Sequence, residues 1–286
     1  MSTLKSLARH LAEVVVARDA LWRPLSRTLV RGSQFLCAMR NQHEVEQTVA
    51  NHPPLRDALQ KREILAGPFK GMKYGQTTAM CSTLHPKLLG TYEHELAAAF
   101  DRALTRKPPL VVDVGAADGY YAVGFAYRDP SARVIAYDQD PRARAELAKL
   151  AELNGVADRI EIRGRCEVSD MKAFAGEAGL MIVDCEGFED ILLDAENLRH
   201  LSRWEFIIET HDGFRAGVSQ RLAERFAATH QVEVVEAIHD FDKLDHVEVP
   251  LLEGLPRREA DFVLAEGREH ACLRWLVCSP TASRKI

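Results

Sequence analysis

The sequence predicts an α/β fold in which helices cover a mostly parallel sheet. Two observations carry this prediction: short apolar runs recur from residue 110 onward, and segments with helical periodicity separate most of them. Strands that alternate with helices of roughly 10–15 residues indicate a doubly wound sheet. With 286 residues, 47% of them hydrophobic and 28% charged, the chain is long enough and apolar enough for a full core.

The stretch from Leu110 to Ala126, LVVDVGAADGYYAVGFA, organises the rest of the chain. It opens with five residues that have the pattern of a buried strand and are apolar except for Asp113. A turn with little side-chain bulk, GAADG, follows, and residues 121–127 then have the pattern of a helix. At such a strand–turn–helix junction, backbone N–H groups face a ligand. The sequence therefore predicts a binding site at residues 115–119.

Seven strands are predicted in all, at residues 110–114, 133–137, 159–163, 179–184, 205–209, 232–238 and 271–278. Helices are predicted at 141–153, at 218–229 and at 92–105, the last with Thr91 as its N-cap. Residues 239–270 are expected to form an irregular acidic insert. Because no helix is predicted between the last two strands, we expect the seventh strand to run antiparallel at the edge of the sheet.

Three regions are predicted along the chain. Residues 1–62 form an N-terminal helical extension, residues 63–90 a loop-rich connector and candidate lid, and residues 91–286 the main domain. The connector is rich in Gly and Pro, which argues against a long helix there.

The N-terminal extension is basic. Residues 1–42 contain seven Lys/Arg against Glu13 and Asp19, a net charge of +5, so the remainder of the chain carries −10. Leucines recur at helical spacing, and three arginines lie four residues apart, at Arg23, Arg27 and Arg31. Two roles stay open for these helices: peripheral contact with an anionic membrane surface, or packing as a cap or a homodimer.

The chain has six cysteines without C-x-x-C pairs or zinc-site spacing, at positions 37, 81, 166, 185, 272 and 278. Reduced thiols in the cytoplasm are the expectation for such a pattern. No apolar run approaches the ~18 residues of a spanning helix, and no secretion signal is recognised. We therefore expect a cytoplasmic protein, which is membrane-peripheral if the N-terminal helices bind lipid.

Carboxylates recur at the carboxyl ends of the predicted strands, where an open α/β sheet binds its ligands. They follow the second to fifth strands in turn, as Asp138, Glu167, Asp184 with Glu186, and the group Glu209, His211 and Asp212. Carboxylates in a cleft are costly unless they have a role. The pattern therefore indicates a ligand that carries positive charge.

S-adenosylmethionine (SAM) fits this pattern, because its sulfonium is cationic and its ribose offers two hydroxyls. Asp138 is placed for the ribose diol, as acidic residues are in dinucleotide sites. The small residues from Gly115 to Gly119 let the backbone approach the methionine part. NAD is disfavoured, because its G-x-G-x-x-G/A fingerprint requires a glycine where Ala117 stands, and because these carboxylates would repel a diphosphate.

The sequence also resembles a known family over about residues 90–240. The motifs VDVGAADGYYAVGFA, AYDQDP, Leu153-Asn154-Gly155, VDCEGFE at 183–189 and IIETHD at 207–212 are similar to those of the FkbM-type SAM-dependent methyltransferases. The resemblance implies a Rossmann-like class I methyltransferase fold and methylation of hydroxyls on sugars, glycosylated natural products or polyketides. The chain departs from the family in lacking the usual Lys before the D-x-E-G-x-E motif and in having Asp138-Gln139 in place of Glu-Pro.

By this resemblance, Asp184, Glu186, Gly187 and Glu189 match the D-x-E-G-x-E motif, and Asp113, Gly115, Asp118 and Asp138 match SAM-site positions. Together with the residue pattern it gives a candidate cofactor site of eleven residues: Asp113, Gly115, Ala116, Ala117, Asp118, Gly119, Tyr120, Asp138, Gln139, Glu167 and Asp184. A sugar hydroxyl benefits from a base during methyl transfer, and the candidates are Glu186, His211 and Asp184. Structural roles stay open for Asp113 as a turn-fixing carboxylate, Glu167 as a surface residue and His211 as a helix-capping or hydrogen-bonded histidine.

No metal is predicted. Asp184, Glu209, His211 and Asp212 include oxygen and nitrogen ligands that could hold one, but their spacing is not diagnostic.

The predicted function is therefore SAM-dependent O-methylation of a small-molecule or glycan acceptor, such as a sugar in polysaccharide biosynthesis. The alternatives are a methyltransferase that acts on a protein or another small molecule, and an inactive SAM-binding scaffold. A nucleic-acid substrate is disfavoured, because binding to phosphates requires a basic surface and the chain beyond residue 42 is acidic.

Overall fold

The computed structural model describes residues 12–13, 15–75, 83–267 and 274–281, except for the side chains of Arg31 and Gln34. It divides into two compact units, residues 1–53 and 54–286. The first unit contains one long helix, α1 (Asp19–Asn51), so the predicted N-terminal helical part is confirmed there. The helical pattern predicted upstream lies almost wholly outside the described residues. No described helix has the length and apolar content needed to cross a bilayer.

The second unit is built on a seven-stranded sheet with strands β1 (Leu110–Val114), β2 (Arg133–Tyr137), β3 (Ile160–Arg163), β4 (Leu180–Val183), β5 (Glu205–Thr210), β6 (His230–Glu236) and β7 (Arg274–Pro280). Their order is β3-β2-β1-β4-β5-β7-β6. Strand β7 runs antiparallel to both of its neighbours, and the other pairings are parallel. The predicted Rossmann-like sheet of the class I methyltransferase arrangement is thus confirmed.

The remaining helices are α2 (Pro53–Leu59), α3 (Leu84–Leu89), α4 (Ala97–Arg106), α5 (Tyr120–Arg128), α6 (Pro141–Leu153), α7 (Glu189–Leu192), α8 (Ala195–His200), α9 (Val218–Phe226) and α10 (Arg257–Leu264). Helix α6 has the predicted bounds, because both of its ends are encoded locally. The Asp140 carboxylate accepts the Arg142 N–H, and Pro141 occupies the first turn.

Three details differ from the predictions. Thr91 is not an N-cap: a turn and a 3₁₀ helix (His94–Leu96) precede α4, and Glu93 is held in the left-handed region at φ 47°. The acidic insert is not irregular, because α10 and two 3₁₀ helices, Asp240–Asp245 and Pro250–Leu252, lie within it. Strand β7 pairs between β5 and β6, so β6 forms the edge of the sheet. Residues 271–273 of the predicted seventh strand lie outside the described residues.

Local ion pairs explain why the insert is ordered. Arg257 binds both Asp245 and Asp261, and Lys243 forms a buried pair with Glu266. From the sequence pattern alone, acidic residues in such an insert would be expected to face solvent without partners, whereas these acids form ion pairs.

The thiols of Cys166 and Cys278 are buried, that of Cys185 is half-buried and that of Cys37 is exposed. All four are free. Cys81 and Cys272 lie outside the described residues.

The sheet positions a binding site between β1 and β4. Strand β1 is buried along its whole length and pairs with β2 on one side and β4 on the other. From β1 the chain continues to β2 and then to β3, which forms one edge of the sheet. It then crosses back to β4 on the other side of β1, so the strand order reverses between β1 and β4. The crevice at the carboxyl ends of these strands is where such sheets bind ligands.

Candidate active site

A cavity of about 440 Å³ opens at this switch point. Four loops line it, those that follow β1, β2, β3 and β4. The predicted cofactor and catalytic residues among its lining are Gly115, Ala117, Asp138, Gln139, Asp184 and Glu186. This volume suits a small-molecule ligand.

Gly115 lines the cavity, and its lack of a side chain allows two loops to meet there. Gly115 has φ 87°, and a Cβ built there would lie 1.6 Å from the carbonyl oxygen of Asp184. The N–H groups of Gly115 and Ala116 both donate to the Tyr137 carbonyl at 2.9 Å. Only glycine allows this approach, so the loops after β1 and β4 touch at their start.

Asp138 is fixed at one wall of the cavity. Its Oδ2 accepts the Ala117 N–H at 2.8 Å, and its Oδ1 accepts the Asp140 N–H at 2.7 Å. Each carboxylate oxygen can accept a further hydrogen bond. The side chain is therefore oriented in advance for a ligand that donates, such as a pair of hydroxyl groups.

The sequence reasoning missed part of the lining. Arg165 lies with its guanidinium 4.8 Å from the centre of the Phe188 ring, and both residues line the cavity together with Asp140, Cys166 and Cys185. Arg165 and Cys166 follow β3, and Cys185 and Phe188 follow β4. A search of every residue after each predicted strand, rather than of carboxylates alone, would have found them.

Several predicted cofactor residues do not line the cavity. The Glu167 side chain caps a 3₁₀ helix (Val168–Phe174) reciprocally with Asp170 and is mostly exposed, which agrees with the surface role left open for it. Asp113 accepts the Ala122 N–H at 3.0 Å and so anchors the start of α5, in line with its structural alternative. The remaining predicted cofactor residues outside the cavity lining are buried, namely Ala116, Asp118, Gly119 and Tyr120.

Asp118 is the centre of a buried polar cluster. Its Oδ2 accepts the Tyr74 hydroxyl at 2.5 Å, and its Oδ1 accepts from the Lys87 ammonium at 3.1 Å. Lys87 also lies 3.2 Å from the Tyr74 hydroxyl. The Lys87 and Asp118 side chains are 3% and 1% exposed. The cluster therefore ties the predicted connector to the turn after β1.

Aromatic rings surround the Lys87 ammonium. It lies 5.5 Å from the ring centre of Tyr74 and 5.1 Å from those of Tyr92 and Tyr120. Cation–π attraction adds to the ion pair in such a desolvated setting. The sequence offered no local signal for Lys87, because its partner Asp118 lies 31 residues further along the chain.

A second polar cluster, the His211 cluster, lies at the carboxyl ends of β4 and β5 and brings the three predicted catalytic residues together. The Nδ1 of His211 lies 2.7 Å from Oε1 of Glu189. Its Nε2 faces Oδ1 of Asp184 and Oε2 of Glu186 at 3.6 Å each, and Oε2 of Glu209 at 3.8 Å. Asp184 and Glu186 thus border both the cavity and the imidazole.

Burial and charge act together on this cluster. Burial raises the pKa of Asp184 to about 7, and the charges of Glu93 and Glu186 add to the effect. Burial alone would lower the pKa of His211, but the hydrogen bond and charge of Glu189 outweigh it and raise that pKa. Burial likewise opposes ionisation of Glu189, but the His211 hydrogen bond holds its pKa below the ordinary value.

No protein-family model and no curated protein matches the sequence. Among solved structures, the O-methyltransferase TomG from Streptomyces achromogenes in complex with SAM is 14% identical, with 68% of this chain and 83% of that chain covered and a TM-score of 0.45. An O-methyltransferase from Bacillus cereus in complex with SAH is 11% identical, with 62% and 77% covered and a TM-score of 0.43. An rRNA methylase from Streptococcus thermophilus is 10% identical, with 66% and 97% covered and a TM-score of 0.45. Similarity at this level assigns no ligand or substrate.

The buried cluster at Asp118 predicts a large loss of stability for Lys87→Met. The substitution leaves the Asp118 carboxylate buried without its cation, which costs about 3–5 kcal/mol. Urea unfolding of the full chain measures this loss. The exposed Lys70→Met is the matched control and should unfold like the wild type. Lys87→Met combined with Asp118→Asn should recover part of the loss, and a double variant no better than Lys87→Met would contradict the pairing.

Asp113 predicts a pH dependence of stability. Burial raises its pKa from 3.8 to about 7, with smaller contributions from the charges of Asp138 and Glu93. The Ala122 hydrogen bond and the charge of Lys87 act in the opposite direction but are weaker. Between these two pH values the folded state binds more protons than the unfolded state, so this group makes the wild type less stable as pH rises from about 4 to about 7. At about 1.4 kcal/mol per pKa unit, the effect amounts to roughly 4 kcal/mol.

Asp113→Asn keeps an acceptor for the Ala122 N–H and removes the titration. Urea unfolding at several pH values should therefore show the variant gaining stability relative to the wild type from pH 4 to pH 8. The exposed Asp158→Asn should follow the wild type throughout. Parallel pH curves for Asp113→Asn and the wild type would show that Asp113 titrates normally.

Proposed function

We propose that this protein is a SAM-dependent O-methyltransferase. One observation carries the proposal: the cavity between β1 and β4 shares Asp184 and Glu186 with the His211 cluster, so a ligand cavity and a group of proton acceptors lie side by side. Transfer to a hydroxyl requires these two parts next to each other.

The residues of the cavity fit SAM. Gly115 and Ala117 line the cavity with little side-chain bulk, and the oriented Asp138 carboxylate accepts hydrogen bonds from a ribose diol. Phe188, with Arg165 over its ring, provides a flat surface for the adenine. When bound, SAM supplies a methyl group activated by its positive sulfonium. The carboxylate of Asp184 favours a ligand with that charge.

The His211 cluster supplies the acceptor side. As the acceptor oxygen forms its bond to the methyl carbon, the bond from that carbon to sulfur breaks and S-adenosylhomocysteine leaves. The hydroxyl proton passes to the His211 cluster, where Glu186 is the most accessible acceptor with a side chain 65% exposed. Glu189 holds the imidazole in place through Nδ1, so Nε2 points to the reaction side.

A sugar, a glycan or a glycosylated natural product is the acceptor class we infer, and the FkbM-type motifs support it. The acids of the His211 cluster also suit an acceptor that donates several hydrogen bonds. A protein or another small molecule is the alternative acceptor, and an inactive scaffold is the alternative to catalysis. The net charge of −10 beyond residue 42 argues against RNA.

The test separates cofactor binding from turnover. Asp138→Asn should weaken SAM binding about 10–100-fold in calorimetric titration, because a charged hydrogen-bond acceptor worth ~1.5–3 kcal/mol is lost. Glu186→Gln and His211→Asn should each lower kcat about 10²–10⁴-fold, with SAM affinity nearly unchanged. A methyl-transfer screen against sugar nucleotides and surface polysaccharides supplies the acceptor.

Glu224→Gln, on the exposed face of α9, is the matched control and should retain turnover. Full activity in both Glu186→Gln and His211→Asn would refute the assignment of the base. SAM binding without transfer to any class of acceptor would favour the scaffold.

We also infer that the protein is cytoplasmic and that α1 contacts an anionic membrane surface. The four free thiols fit a reducing compartment. Eight apolar side chains of α1 are each more than 40% exposed, and all except Val30 lie on one face: Leu21, Trp22, Leu25, Leu29, Phe35, Leu36 and Met39. At 100° per residue they cover about 140° of the helix circumference, while Arg23 and Arg27 lie on the opposite face. Such a division, with Trp and Phe on the apolar side, is typical of interfacial helices.

Sedimentation with vesicles tests this contact. The wild type should bind vesicles that contain phosphatidylglycerol and not those of phosphatidylcholine alone. Leu25→Glu with Leu29→Glu should abolish binding, because both charges lie on the apolar stripe. Val30→Glu, exposed but off the stripe, is the control and should bind as the wild type does. A concentration-dependent dimer that the double variant disrupts, without vesicle binding, would instead assign α1 to self-association.

A further inference from the structure

We propose that Asp184, Glu186 and His211 form a binding site for a divalent metal ion, in which Glu189 orients the imidazole. The catalytic use of this ion rests on the proposed function, whereas its binding does not. The sequence predicted no metal, because the spacing of the candidate ligands Asp184, Glu209, His211 and Asp212 is not diagnostic, and Glu186 was not among those candidates.

The three ligand atoms have suitable separations. One atom from each residue lies within 4.8 Å of the others. The His211 Nε2 is 3.6 Å from both Asp184 Oδ1 and Glu186 Oε2. Two ligands bound to one ion at about 2.1 Å lie roughly 3.0 Å apart at a right angle and 4.2 Å apart when opposite. The two measured distances fall within this range, so small side-chain rotations suffice.

The imidazole itself points to a ligand. The His211 side chain is 7% exposed, and its Nε2 makes no hydrogen bond within the described part of the chain. Its Nδ1 is held by Glu189, whose side chain is fully buried and also accepts the Gly187 N–H at 3.0 Å. A carboxylate that fixes one ring nitrogen while the other faces oxygen ligands is the arrangement found around metal-bound histidines.

The carboxylates add a second indication. Asp184 Oδ1 is buried and lacks a hydrogen-bond partner among the described residues. Within those residues, no Lys or Arg pairs with Asp184, Glu186 or Glu189.

The donor set indicates the kind of ion. Two carboxylate oxygens and one imidazole nitrogen suit Mn²⁺, which accepts both donor types, and are compatible with Mg²⁺. No thiol belongs to the set, which disfavours a structural zinc site. Because Glu186 is 65% exposed at the cavity, the open positions of the ion face the place where the acceptor hydroxyl would bind. An ion there would polarise this hydroxyl; with the ion bound, Glu186 would be a ligand and not the base, and the hydroxyl proton would leave to Glu209 or to water instead.

The experiment uses the full chain, stripped with EDTA and desalted. Calorimetric titration with Mn²⁺ alone, supported by Mn²⁺ electron paramagnetic resonance, should show one ion bound per chain. Asp184→Asn and His211→Asn should each weaken Mn²⁺ binding at least tenfold, and Glu189→Gln about 10–100-fold, because the imidazole loses its orientation. His200→Asn, an exposed histidine on α8, is the matched control and should bind as the wild type does.

Folding is checked separately by the thermal unfolding of each stripped variant. Addition of Mn²⁺ should raise the unfolding temperature of the wild type and of His200→Asn, and not that of His211→Asn. No Mn²⁺ binding at millimolar concentration would overturn the proposal. Binding that survives His211→Asn combined with Asp184→Asn would also overturn it. A parallel titration with SAM tests the proposed function separately, because we expect SAM to bind without the ion. Loss of SAM binding would count against the proposed function, and loss of Mn²⁺ binding alone would count against the metal site.

Discussion

The site depends on one close approach, between the backbone of Gly115 at the end of β1 and the carbonyl oxygen of Asp184 just after β4. A side chain at residue 115 would collide with that oxygen at 1.6 Å, and the Asp184 N–H donates to Val114 at 2.9 Å. The two loops therefore leave the sheet in contact and then diverge. Asp184 therefore borders both the cavity and the His211 cluster, as Glu186 does.

The carboxylates of this protein differ in whether a Lys or Arg pairs with them. In the insert, acids are paired with Arg257 and Lys243, and behind the turn Asp118 is paired with Lys87. Burial is tolerated in these places because each carboxylate meets a cation. The His211 cluster is different, since within the described residues the carboxylates of Asp184, Glu186 and Glu189 pair with a single imidazole and with no Lys or Arg. An excess of negative charge at one place on the sheet is typical of a functional site.

Three of the five non-glycine residues with positive φ in the described part of the chain line the cavity or act on Asp184 through their charge. Ala117, Glu186 and Glu93 adopt positive φ values of 45°, 56° and 47° although none is glycine. Such a conformation costs about 1–3 kcal/mol per residue and persists only where surrounding contacts enforce it. The Ala117 N–H is held by Asp138 and the Glu93 N–H by Glu266. At Ala117 and Glu93, the contacts that enforce the strain therefore involve carboxylates from distant parts of the chain.

The sequence by itself determined the architecture and the edge of the sheet that carries the site. Strand hydrophobicity, the small-residue turn and the caps of α6 are local patterns, and each is encoded within a few residues of where it acts. Only the tertiary structure decided which carboxylates face the cavity, as Asp138 does and Glu167 does not. Likewise, the pairing of Lys87 with Asp118 and of Glu189 with His211 joins residues 31 and 22 positions apart. Such contacts depend on how helices and loops pack over the sheet, which no local pattern specifies.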